Sequence, residues 1–182
     1  MNVFILLSYK YLKNKKKIKL EELNIFKNEK EVLDYIKLNN LDLTSKNNSN
    51  ETADLYQIEN LVLNYLQGQK LNLYKEFKKL NVELDLNDKF KSEFSRKVIE
   101  TLLTINPGEI TTYYEIGNKI NSKAFRAIGN VCKTNPIPLI IPCHRVLRKN
   151  GEIGGFMGKS DKTWETKLKR RLLKLEGYKA IK

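Results

Sequence analysis

Three of the chain's four prolines fall within seven residues, at Pro136, Pro138 and Pro142. Proline fixes its own φ and pushes the residue before it out of the helical region. No helix can cross this stretch, and the spacing predicts an extended segment from Pro136 to Pro142. The apolar run Leu139, Ile140, Ile141 inside it predicts burial. Asn135, just before it, reads as a helix stop. Cys143 follows directly, so its thiol is expected at the end of a rigid, buried segment. Next come His144, the only histidine of the chain, and Arg145. A thiol attacks as thiolate, and a nearby base or cation lowers its pKa. A buried cysteine is as readily a small hydrophobe, and the tripeptide alone does not separate the two readings.

The residues around this segment carry helical signals. Ser92 is placed to cap a helix whose apolar face is Phe94, Val98, Ile99, Leu102 and Leu103. Asn106, Pro107 and Gly108 predict a turn. Thr112 and Glu115 have capping-box spacing, which predicts a helix from Tyr113 to about Ile120. After the turn at Asn121–Ser122, with Ser122 as cap, a second helix is expected over Lys123–Lys133, with Ala124, Ala127, Ile128 and Val131 inward. Two short helices joined by a tight turn form a helix-turn-helix pattern, and Lys123, Arg126 and Lys133 on it favour contact with DNA. Asn150-Gly151 predicts a hairpin between Val146-Leu147 and Ile153. A last helix from about Thr163 would carry Trp164, Leu168, Leu172 and Leu175 on one face, with Gly177 ending it.

The first half says less. Residues 1–36 predict strands with a helix at Glu29–Leu38, Asn39–Thr52 a loop, and Ala53–Leu66 a helix ended by Gln67-Gly68. Leu80–Asp88 reads as a linker. This gives two expected domains: 1–88, an α/β scaffold with no chemistry of its own, and 89–182, mostly α-helical with the helix-turn-helix.

Charge separates the same halves. Residues 1–88 hold 14 basic and 13 acidic residues, whereas 89–182 hold 20 and 8. A net charge of +12 confined to one half is the footprint of a polyanion-binding surface, and on charge alone it is equally that of a lysine-rich chain with solvated faces. Two cysteines make no disulfide framework, and with one histidine they make no four-ligand zinc site. The opening apolar run is too short to span a bilayer and lacks the charge order of a signal peptide, so it reads as a strand of a cytoplasmic protein.

The segment Asn135 to Val146 (NPIPLIIPCHRV) resembles the active-site signature of the methylated-DNA–protein-cysteine methyltransferases. The likeness extends through Gly108–Tyr113, Arg126–Gly129, Asn150-Gly151 and Glu176-Gly177, and in the first half chiefly through Tyr65–Gly68. It implies that Cys143 accepts an alkyl group from O6 of a guanine flipped out of double-stranded DNA. O4-alkylthymine is a second base open to the same chemistry. His144 would be the base, acting through a water, with Glu176 orienting it. Asn135 would hinge the recognition helix to the active-site strand. Tyr113 would donate to the leaving guanine. Arg126 would fill the space of the extruded nucleotide, with Lys123 beside it on the DNA. Phe156, Met157 and Gly158 would line the base pocket, where the family usually has tyrosine, a small residue and two glycines. The resemblance implies no cofactor beyond the damaged DNA. Some members of the family carry a structural zinc in the N-terminal domain, but residues 1–88 hold no cysteine or histidine, so no metal is expected, and a monomer is expected. The alternative is a non-catalytic binder of alkylated DNA or a regulator, whose relatives lack the acceptor cysteine; a cysteine hydrolase would need an oxyanion hole.

Overall fold

A computed structural model describes residues 3–15, 17–41, 49–87, 89–159 and 162–178. The chain opens with an antiparallel pair, β1 (Phe4–Leu12) and β2 (Lys17–Phe26). Their register runs from Phe4 opposite Phe26 to Leu12 opposite Lys17, with a shift at Ser8/Tyr9. Glu21 is the extra residue of this bulge, so the buried positions of β2 change parity, from Ile18 and Leu20 to Leu23 and Ile25. Helix α1 (Glu29–Leu38) follows as expected, capped by Asn28 Oδ1 accepting from Glu31 N at 3.0 Å.

Helix α2 spans Ser49–Leu66, beginning inside the stretch expected to be a loop; residues 42–48 of that stretch lie outside the described residues. It ends where Gln67-Gly68 predicts, with Gly68 at φ 99. Helix α3 (Leu73–Lys79) follows. The expected linker is more than a linker: its residues Glu83–Leu84 form β3, which pairs in parallel with β2 at Lys19 and Leu20. A two-residue edge strand has too little pattern to be visible in sequence. Asp88 lies outside the described residues.

In the second half, α4 (Glu93–Leu103) is capped by Ser92 and buries Val98, Ile99 and Leu102. Each of these three stabilises the fold by about 1.5–3 kcal/mol relative to an exposed side chain. β4 (Thr111–Thr112) leads into α5 (Tyr113–Lys119), whose capping box of Thr112 and Glu115 forms. α6 is Phe125–Lys133, two residues shorter at its start than expected. Ser122 does not cap it: its Oγ accepts from Ala124 N within the connecting turn, and Ala124 is exposed. Close packing sets this turn. A Cβ on Gly117 would come within 2.5 Å of the Phe125 ring and 2.6 Å of Ser122 O.

The proline segment is the main departure. It does not run extended: Ile141 N bonds Ile137 O at 3.0 Å, and Leu139 sits at φ 76. Proline restrains itself and its predecessor only, which leaves Leu139 and Ile140 free to turn. A left-handed leucine costs of order 1–3 kcal/mol. Its side chain is buried, so packing offsets the strain. The Asn150-Gly151 turn forms and closes as a short hairpin, with Gly151 N on Arg148 O and Arg148 N on Glu152 O, both at 2.9 Å, and Gly151 at φ 81, but the expected pairing of Val146-Leu147 with Ile153 does not extend it. β5 (Val146–Leu147) pairs instead with β4, in parallel.

Helix α7 (Trp164–Leu175) closes the fold, capped by Thr163. Its end is a Schellman motif: Tyr178 N bonds Leu173 O at 2.9 Å and Gly177 N bonds Lys174 O at 3.0 Å, with Gly177 at φ 89. One contiguous apolar cluster joins β2, α2 and α3 to α4, α6, the proline segment and α7. No described helix is long and apolar enough to cross a membrane.

Candidate active site

The turn at Leu139–Ile140 brings the chain back on itself, and Asn135 clips it shut. Its Nδ2 donates to Ile141 O at 2.9 Å and to Cys143 Sγ at 3.1 Å, and its Oδ1 accepts from Ile137 N at 3.0 Å. Asn135 therefore touches the sulfur itself. Cys143 opens a 3₁₀ turn through Arg145 in which all three side chains are buried.

His144 is fully buried. Its Nε2 lies 3.0 Å from Glu176 Oε1 and 3.2 Å from the hydroxyl of Tyr65. The ionised carboxylate can only accept, so Nε2 carries the proton and Nδ1 keeps the lone pair. Nδ1 has no hydrogen-bond partner among the described residues. The imidazole thus presents a basic nitrogen while its other face is pinned. Phe156 meets the ring edge-on, at 6.5 Å and 80°.

Glu176 occupies the C-cap of α7, and the Schellman turn carries its carboxylate inward, where it is 2 % exposed. Arg145 grips it from below: Nη2 to Oε1 at 2.7 Å, and Nε to Oε1 and Oε2 at 3.1 and 3.0 Å. The remaining Arg145 bond goes from Nη1 to Ile105 O at 2.6 Å. Burial opposes the charge on Glu176, but the hydrogen bonds of His144 and Arg145 outweigh it and hold the carboxyl well below the usual range. With the Arg145 guanidinium against it, Glu176 stays ionised beside a neutral imidazole. Gly108 packs on the same spot. A Cβ there would sit 2.9 Å from Glu176 O, and its φ is 86.

Burial pushes the Cys143 thiol up, against the lowering effects of Asn135 and of the Lys169 charge. Burial likewise lowers His144, against the pull of Glu176. Both groups therefore rest neutral near pH 7. A nearby base or cation can lower a thiol's pKa, but at Cys143 desolvation outweighs the contacts that would do so, and the resting group is the thiol.

A pocket of about 270 Å³ opens over the sulfur, lined by Tyr113, Gly129, Cys143 and the loop Phe156–Lys159. The loop is a two-residue turn closed by Phe156 N on Lys159 O at 3.1 Å and Lys159 N on Phe156 O at 2.9 Å. Met157 and Gly158 both have positive φ, 48 and 76, which makes it a type I′ turn. Burial raises Tyr113, so its phenol keeps its proton and can donate. Phe156, Met157 and Gly158 all lie on this wall. Arg126 and Lys123 lie outside it, exposed on α6 and on the turn before it.

Three participants were not anticipated. Arg145 had no assigned partner in the sequence, and its ion pair with Glu176 spans 31 residues. Lys169, a lysine at a buried position of α7, donates from Nζ to Val146 O at 2.6 Å and Gly155 O at 3.2 Å, tying β5 to the pocket loop. Its signal was its place among Thr166, Leu168, Leu172 and Leu173 on one helical face. Tyr65 corrects the view of the first half as pure scaffold. Its hydroxyl donates to Glu176 Oε1 at 2.7 Å. Its only signal was the Tyr65–Gly68 stretch.

Residues 93–178 match the family described as 6-O-methylguanine DNA methyltransferase, DNA binding domain. A methylated-DNA–protein-cysteine methyltransferase of Archaeoglobus fulgidus is 43% identical over 86 residues, 47% of this chain and 57% of that protein. A probable one of Acanthamoeba polyphaga mimivirus is 44% identical over 107 residues, 57% of this chain and 68% of that protein. Among solved structures, Mycobacterium tuberculosis OGT in complex with DNA matches with TM-score 0.57 at 28% identity, covering 86% of this chain and 80% of that one. The O6-methylguanine-DNA methyltransferase of Pyrococcus kodakaraensis shares the fold over 96% of this chain and 99% of its own, at TM-score 0.58 and 19% identity. By its sequence relatives, the chain belongs to the methylated-DNA–protein-cysteine methyltransferase family.

Proposed function

We propose that this chain repairs alkylated DNA directly, moving the alkyl group from guanine O6 to Cys143 Sγ once per molecule. The observation that carries the reading is a buried sulfur at the floor of a base-sized pocket, beside a neutral histidine whose free nitrogen is Nδ1. The damaged base has to leave the stack to reach it. His144 takes the thiol proton at Nδ1 through a water, and Sγ attacks the alkyl carbon. The S–C bond forms as the C–O bond breaks, and the electron pair leaves on guanine. Tyr113 donates to that guanine as its charge grows. The imidazolium is met by Glu176, already ionised. The thioether product has no electrophilic carbonyl for water to attack, so it persists.

The α5–turn–α6 unit acts in this reading as a helix-turn-helix on the DNA, in the minor groove. Arg126 fills the vacated stack, where its planar cation suits both bases and phosphate. Lys123 contacts the backbone. Met157 N–H meets the base oxygen, so methionine at this position is tolerated. Residues 89–182 carry DNA binding and the acceptor, residues 1–88 support them, and the protein works as a monomer.

The test is intact-protein mass after incubation with an O6-methylguanine duplex. One methyl group is gained by the native protein, and none by Cys143→Ser, which still binds DNA. A methyl gained by the serine variant would move the acceptor elsewhere, Cys132 first.

A further inference from the structure

We propose that Tyr65, from the first half of the chain, is a positioning residue of the transfer: its hydroxyl holds Glu176 and His144 together so that Nδ1 is presented as the base. The inference rests on the reading of Cys143 as acceptor. Tyr65 lies on α2, is 1% exposed, and stands 79 residues from His144. Its hydroxyl donates to Glu176 Oε1 at 2.7 Å, so its oxygen is left to accept from His144 Nε2–H at 3.2 Å. The two rings are 6.5 Å apart at 59°. Phe156 lies against the imidazole as well, so the ring is held by aromatic contacts as well as by hydrogen bonds.

The charged and titratable groups acting on His144 are Glu176 from α7, Arg145 beside it in sequence, and Lys169 from α7. Cys143 is its chain neighbour. Tyr65 adds a contact from the first half, and its hydroxyl meets both partners of the His–Glu pair. The hydroxyl draws on the charge of Glu176 Oε1, which leaves less of that charge to stabilise a protonated imidazole. The tyrosine oxygen also accepts from Nε2–H, which favours the imidazolium, but that contact is the longer, 3.2 Å against 2.7 Å to the carboxylate, so the effect on Glu176 dominates and removing the hydroxyl should let His144 protonate at higher pH. It should also loosen the ring, which lowers transfer even where the imidazole is neutral.

The chain's single histidine makes this measurable. Imidazole NMR titration follows His144 without assignment ambiguity, and single-turnover methyl transfer is followed across the same pH range. In Tyr65→Phe the half-point of His144 should move to higher pH. The acid limb of the rate profile should move with it. The plateau rate should fall about tenfold, a small part of what general-base catalysis contributes, with DNA affinity unchanged. A half-point and plateau equal to the native protein's overturn the inference. If the phenylalanine variant does not fold, 3-fluorotyrosine placed at residue 65 by codon suppression decides. It is a stronger donor of nearly the same shape, and the half-point should move to lower pH; no movement overturns the proposal. Failure of the native protein to methylate Cys143 would instead remove the functional reading, and the titration would still report on the hydroxyl.

Discussion

Glu176→Gln tests the centre of the site because it keeps the shape and removes one charge. In the native protein the guanidinium of Arg145 is 2% exposed and has the carboxylate as its counter-charge, through three contacts of 2.7–3.1 Å. Breaking a buried pair by neutralising one partner costs about 3–5 kcal/mol. Glutamine can still accept from Tyr65 or His144, so the loss should lie at the lower end, about 3 kcal/mol. For a chain of this length that lowers Tm by roughly 6–12 °C. The assay is equilibrium urea unfolding by far-UV circular dichroism. The difference between native and variant should also depend on pH. Glu176 is held below its unfolded pKa, so its contribution is complete above about pH 4.3 and is lost as pH falls towards the folded value. The gap between the two proteins should therefore narrow between about pH 4 and pH 2. Adding Arg145→Met to the variant should cost less than it does in the native protein, with a coupling of about 1–3 kcal/mol. A difference below about 0.5 kcal/mol at pH 7, or one of equal size at pH 3, would show that the pair does not bear the load assigned to it.

Further outcomes follow from the same geometry. Gly117→Ala should lower stability by about 1–3 kcal/mol, because a Cβ would meet both the Phe125 ring and Ser122 O; urea unfolding indistinguishable from the native protein's contradicts the close packing of α5 on the turn. Since burial lowers His144, the transfer rate should hold level down through about pH 6.5 and fall only below it; an acid limb near pH 7.5 would mean another base. Arg126→Ala should slow repair of duplex DNA more than of free O6-methylguanine, and equal losses on both substrates would remove its flipping role. Titrating methylated duplex against a fixed amount of protein should plateau near one equivalent, and repair continuing well past it would mean turnover.

Elements with local signals were legible in the sequence, since a cap or a periodic face is written within a few residues. Ser92, the Thr112–Glu115 box, Thr163 and Gly177 each stand where their helix begins or ends. The site residues came from the resemblance more than from chemistry read cold. What stayed hidden depends on partners far along the chain. The turn inside the proline segment needs Asn135 to close it and core packing to hold Leu139 left-handed. β3 exists because β2 offers an edge. Arg145 and Tyr65 look ordinary until Glu176 is folded between them, 31 and 111 residues away.

One bond carries a consequence for anyone who would transplant this activity. Leu23 N, at the centre of β2, donates to Pro136 O at 2.9 Å, so the first strand pair is laced to the residue after Asn135. Lys75 Nζ reaches Asn106 Oδ1 in the same direction, at 3.2 Å, next to the turn that backs Glu176. A fragment beginning at Phe90 would keep the acceptor, the histidine and the whole family signature, yet lose this lacing and bare the apolar cluster. Grafted onto another protein, it would be a recognisable motif without the inner wall that gives it its shape.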